Sequence, residues 1–168
     1  MKIQTRIEDF FIRDANKTDC GLILSFIKEL AEYEKLLHEV EATEEILHRS
    51  LFSSQPYARV IIGEFQGQPV GYALFFNNFS TFTGRPGIYL EDLYVTPLMR
   101  GKGFGKSLLA YLAKLAQEEN YTRVEWSVLD WNKPAIDFYK KTGAIIDGLD
   151  QWKIVRMNKQ IIDDYLSR

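Results

Sequence analysis

Arg100-Gly101-Lys102-Gly103-Phe104-Gly105 is the segment of this 168-residue chain in which residue type and spacing point most directly to chemistry. Glycines allow backbone N–H groups to turn inward, and a helix beginning behind them adds its positive end. Together these make a cradle for phosphate. Three better-known phosphate loops do not fit. A Walker A loop needs Gly five residues before Gly105, where Arg100 stands, so the Gly105-Lys106-Ser107 ending is a near miss. A dinucleotide fingerprint needs Gly where Lys106 stands, and an acid on a following strand. A kinase loop fails on the same spacing. What remains is Arg-x-x-Gly-x-Gly between a strand and a helix.

Beside that turn stand two acids. Glu91 lies in the middle of the otherwise apolar run Ile88–Val95, where an uncompensated charge would be costly. It is a candidate base, or else the partner of a neighbouring Arg or Lys. Strand alternation sends Asp92 to the opposite face, so the two do not form a glycosidase-like pair. Asp92 either orients a substrate or bonds to loop backbone. Cys20 opens an amphipathic helix with no histidine near it in sequence, and reads as structural rather than as a nucleophile. A single cysteine excludes an internal disulfide and a Cys-rich metal site. His38 and His48 read as solvated, so no metal is expected.

These residues need elements to hold them. Phe10–Arg13 reads as a strand, and Leu22, Ile23, Phe26, Ile27 and Leu30 mark one face of a helix capped by Thr18 or Asp19 and ending near Glu34. Thr43-Glu44-Glu45 opens a short second helix. Residues 58–65 and 70–76 form a hairpin about the Gly67-Gln68-Pro69 turn, Ser80–Gly87 reads as a loop, and Ile88–Val95 is a strand stopped by Pro97. A helix from about Lys106 to Glu119, a strand Arg123–Leu129, a helix from Pro134 to Lys141 closed by Gly143, a strand Trp152–Met157 and a terminal helix follow. The order implies an α/β fold, a mixed sheet with helices on both faces, and one domain over residues 1–168. Composition agrees: hydrophobic residues are 46% and charged residues 26%. With 21 basic and 23 acidic side chains the net charge is −2, which gives nucleic acid nothing to bind. No apolar run approaches the roughly 20 residues of a membrane helix, and residues 1–9 lack a signal-type apolar stretch. A soluble, cytoplasmic protein is expected.

The Arg-x-x-Gly-x-Gly turn resembles the coenzyme A pyrophosphate loop of the GNAT acetyltransferase superfamily. The likeness spans nearly the whole chain: Phe11-Ile12-Arg13, Lys28–Lys35, Ile88–Val95, Leu129-Asp130-Trp131-Asn132 and Phe138–Ala144 resemble the diamine (spermidine/spermine) acetyltransferase family. Glu32–Leu36 and Val128–Asn132 are especially similar to the branch that acetylates thialysine. The resemblance implies the GNAT fold, a central, mixed, mostly antiparallel twisted sheet. It implies acetyl-CoA as co-substrate, a small-molecule amine as acceptor, no metal, and a homodimer. By it, Leu93, Tyr94 and Val95 face the pantetheine arm, while Arg100, Gly101, Lys102, Gly103, Phe104, Gly105 and Lys106 hold the pyrophosphate. Asn132 and Ala135 touch the cofactor, and Tyr139 lies near the thioester sulfur. Tyr33, Glu34, Asp92 and Trp152 match acceptor-binding positions.

An alkyl ammonium has a pKa near 10.4, so about one amine in 10³ is neutral and nucleophilic at pH 7. Glu91 matches the family's base, and Tyr139, a phenol still protonated at pH 7, its proton donor to the leaving thiolate. A backbone N–H at Leu93 would receive the oxyanion. Two alternatives are acetylation of protein N-termini or lysines, and a sensor that binds acetyl-CoA without turnover; a sensor would need neither Glu91 nor Tyr139.

Overall fold

Strand Arg59–Phe65 (β3) is buried without a break from Val60 to Gly63, which requires cover on both faces of its sheet. In the computed structural model, which describes residues 2–146, 155–157 and 159–166, that cover comes from helices on either side. The other strands are Lys2–Gln4 (β1), Phe10–Asp14 (β2), Gln68–Ser80 (β4), Arg85–Val95 (β5) and Val124–Glu125 (β6). Among the described residues the six strands lie in chain order across the sheet. All pair antiparallel except β5 with β6, which are parallel. This is the mixed, mostly antiparallel sheet expected from the sequence.

One face packs Val60, Ile62, Tyr72 and Tyr94 against Cys20–Tyr33 (α1) and Glu44–Leu51 (α2), through Ile23, Phe26, Leu47 and Leu51. The other meets Phe104–Glu118 (α3): Phe104 stacks on Phe10 at 4.2 Å and tilts against Phe65 at 5.1 Å. Phe104 is 2% exposed, and it forms the first turn of α3 directly behind the glycine turn. Phe104→Ala is therefore expected to destabilise the fold by about 3–5 kcal/mol, seen as a lower denaturant midpoint at unchanged slope.

Residues Met1–Ser127 and Val128–Arg168 form two compact units. The second contains Lys133–Lys141 (α4) and Lys159–Leu166 (α5). Gly143, at φ +85°, ends α4 as its C′ residue, with Gly143 N–H donating to Lys140 O and Ala144 N–H to Tyr139 O. The sequence reading placed Gly143 in that role.

Several elements differ from expectation. The segment read as a loop from Ser80 to Gly87 is mostly hairpin: Asn78 pairs with Gly87 and Phe79 with Pro86. Pro86 contributes only its carbonyl, which accepts from Thr122 N–H at 3.0 Å. A Cβ on Gly87 would sit 2.6 Å from Asn78 Oδ1, so this glycine marks a close approach and not a break. The β3–β4 turn is a two-residue one, with Gln66 and Gly67 both at positive φ. β6 has two residues where seven were expected. Neither Thr18 nor Asp19 caps α1 with its side chain. Asn16 caps a preceding 3-10 turn, and Asp19 takes the Arg13 guanidinium in a two-pronged pair at 2.8 and 2.9 Å. The proposed strand Trp152–Met157 lies partly outside the described residues, and 155–157 have no regular structure.

Candidate active site

The site begins at a register fault. Leu74 of β4 pairs with Asp92 and Phe75 with Leu90, so Glu91 is an extra residue, the bulge of β5. Bulges re-aim side chains and interrupt alternation. Alternation therefore does not separate Glu91 from Asp92. Glu91 is exposed, so the desolvation penalty inferred from the apolar sequence around it does not apply.

The half-buried acid is Asp92. Its Oδ2 accepts a hydrogen bond from the Tyr72 hydroxyl at 2.7 Å. Burial pushes the Asp92 carboxyl above its ordinary range, and the Tyr72 bond pulls it partly back. Glu34 is also raised, first by burial and then by the charge on Asp92. A buried carboxylate whose charge raises the proton affinity of a second one nearby makes a site in want of a cation.

Glu34 is fixed by the way α1 ends. Lys35 takes a left-handed φ of +64°, Lys35 N–H bonds Glu32 O, and Leu36 N–H bonds Ala31 O at 2.8 Å. That closing motif holds Tyr33 and Glu34 in place. The Arg100 guanidinium lies 4.9 Å over the Tyr33 ring and 5.6 Å over Tyr94, while its Nε–H donates to Val95 O at 2.9 Å. The Tyr94 hydroxyl donates to Glu29 Oε2 at 2.7 Å, and burial followed by that bond pushes Tyr94 up to about 12. Tyr33, Glu34, Asp92, Tyr94 and Arg100, chosen from sequence, thus form one connected cluster. Tyr72 and Glu29 belong to it and were not anticipated. The signal for Tyr72 was a hydroxyl-bearing ring inside the apolar run Val70–Phe76.

Next to the cluster runs the glycine turn. Gly101 and Gly103 adopt φ of +77° and +86°, values that L side chains adopt only with strain. Gly103 is the N-cap of α3 and offers no side chain to its first amides. Those donors fit a diphosphate. Lys102 reaches over the Phe65 ring at 5.7 Å and onto Met99 Sδ. β6 pairs only with Ile88 and Tyr89. Among the described residues, β5 from Leu90 to Val95, with Leu93 at its centre, therefore has no strand neighbour on that edge.

In the second unit, Asn132 is buried and caps α4, its Oδ1 accepting from Ala135 N–H at 3.3 Å. Tyr139 is 9% exposed and lies against Phe138. Trp152 lies outside the described residues. Among those described, no group of His, Cys, Asp and Glu could hold a metal, and no helix is long and apolar enough to cross a membrane.

A glycine turn opening a helix, beside a strand edge with no strand neighbour among the described residues, is suited to a ligand that joins a phosphate group to an extended chain. Residues 23–144 match the acetyltransferase (GNAT) family, and the chain belongs to that family. Its relatives include the thialysine N-epsilon-acetyltransferase of Sus scrofa, 43% identical over 141 residues that cover 79% of this chain and 82% of that protein. L-ornithine N5-acetyltransferase of Arabidopsis thaliana is 30% identical, over 87% of this chain and 83% of its own. Among solved structures, an integron cassette protein from the mobile metagenome of V. cholerae superposes with a TM-score of 0.79 at 25% identity, covering 96% of this chain and 100% of that one.

Proposed function

We propose that the protein carries an acetyl group from acetyl-CoA to a primary amine of a small molecule: a diamine, a polyamine or a thialysine-like amino acid. The observation that carries this reading is the pair of carboxylates Glu34 and Asp92, the first raised by the charge on the second, in the same compact unit as the glycine turn. An acceptor with a second cationic centre would satisfy that pair, and relatives named for thialysine and ornithine acetylation act on such amines.

The reaction is proposed as direct attack. Glu91, exposed to water, first takes a proton from the ammonium. The neutral amine's lone pair forms a C–N bond to the thioester carbonyl carbon, and the carbonyl electrons move to oxygen. The Leu93 N–H receives that oxyanion. As the carbonyl re-forms, the C–S bond breaks and its electron pair goes to sulfur. Tyr139 gives that sulfur a proton and regains one from the nitrogen. Gly101 to Lys106 and Asn132 hold the donor, and Tyr33, Glu34, Asp92 and Trp152 the acceptor. The reading includes a single domain over 1–168, a cytoplasmic location and a homodimer, the last checked by light scattering.

The test is release of coenzyme A thiol from acetyl-CoA with spermidine, putrescine, thialysine, lysine, ornithine and an N-terminal peptide. Turnover on a small amine supports the reading, turnover on the peptide alone replaces it with protein acetylation, and acetyl-CoA binding without thiol release points to a sensor.

A further inference from the structure

We propose that Tyr72 is a positioning residue for the acceptor: from beneath the sheet surface its hydroxyl fixes the Asp92 carboxylate in the orientation that receives the ammonium. This rests on the amine-acetyltransferase reading above and adds a determinant of acceptor affinity that touches no substrate itself.

Tyr72 is 0% exposed and is the largest fully buried side chain among the described residues. At such a position a phenylalanine would fill the core without needing a hydrogen-bond partner. The ring stacks on Phe26 at 5.5 Å, with planes 14° apart, so the hydroxyl sits on a rigid arm. Register explains its aim: Tyr72 pairs with Tyr94 and Leu74 with Asp92. Tyr72 and Asp92 are therefore diagonal neighbours on the face that packs against α1. The bond at 2.7 Å commits Oδ2, and an incoming ammonium meets Oδ1.

The hydroxyl of Tyr72, from β4, bears on Asp92, and the charge of Asp92 in turn bears on Glu34 at the end of α1. Burial favours a proton on Asp92, which would abolish its pull on a cation. The Tyr72 hydroxyl opposes burial by stabilising the charged form. It therefore fixes the orientation of the carboxylate and helps keep it ionised.

The experiment is Tyr72→Phe, which removes one oxygen and keeps the packing. Amine KM is expected to rise about tenfold, with kcat and acetyl-CoA KM essentially unchanged. The acid limb of kcat/KM for the amine should move to higher pH, because Asp92 loses the bond that lowers its pKa. In an Asp92→Asn background, Tyr72→Phe should have no further effect on amine KM, since the carboxylate it serves is gone. Unfolding midpoints of all variants establish that they are folded. If wild-type protein acetylates an amine and Tyr72→Phe leaves amine KM and pH profile unmoved, or acts equally in both backgrounds, this proposal falls alone. If no amine is acetylated, the reading of function falls and takes this one with it.

Discussion

Tyr139→Phe is expected to lower kcat by about a hundredfold or more, with acetyl-CoA KM little changed. A thiolate leaving from a tetrahedral intermediate needs a proton, and on the proposed mechanism the phenol supplies it where phenylalanine cannot. Tyr139 lies in α4, whose start is capped by Asn132 and whose end is closed at Gly143, so removing one oxygen leaves the helix intact. Glu91→Gln is expected to behave differently. Its rate at pH 7 should fall, and the deficit should shrink as pH rises toward the amine's own pKa near 10.4, because the amine then arrives neutral. Stopped-time thiol release from pH 6 to pH 10 separates the two. A Glu91→Gln profile parallel to wild type would remove Glu91 from the base role, and a Tyr139→Phe enzyme of normal kcat would remove Tyr139 from the acid role.

Asp92→Asn should raise amine KM by about a hundredfold while leaving the fold as stable as wild type or more so at pH 7. The sign follows from proton linkage. Asp92 and Glu34 both bind protons more tightly in the folded chain than in the unfolded one. Between the ordinary carboxylate range and their raised native values the folded state holds more protons, so stability falls as pH rises through that window. Asn carries no charge to desolvate and can still accept from the Tyr72 hydroxyl. Thermal unfolding across pH 4 to 8 should show a shallower loss of stability for Asp92→Asn than for wild type. A large destabilisation at pH 7 would instead make Asp92 a structural residue.

Local signals in the sequence reach far into this structure. The apolar period of α1, the Thr43 cap of α2, the glycines at 101, 103 and 143 and the strand ending at Val95 all depend on residues within a turn or two of each other, and all appear as expected. Misreadings arise where distant partners decide. Pro86 and Gly87 look like breakers until Thr122 and Asn78 are placed against them. Glu91 looks like a buried charge until the register between β4 and β5 shows that it bulges out. Tyr72 looks like core until Asp92, twenty residues on, receives its hydroxyl. The Tyr94–Glu29 bond spans 65 residues, and no motif announces it. Tyr33, Glu34, Asp92, Tyr94 and Arg100 were singled out by type and resemblance, but the cluster that joins them is tertiary.

The place of Arg100 has an electrostatic consequence. On the proposed reading, an acceptor pocket that gathers carboxylates and a turn loaded with a diphosphate would be two negative regions close together. At physiological salt the screening length is about 8 Å, short enough to mute their repulsion but not to erase it. Between the last strand residue and the first glycine stands a guanidinium held flat over Tyr33 and Tyr94. On the proposed reading, Arg100 stands as an insulator between a cation-seeking pocket and an anion-seeking turn that share one wall.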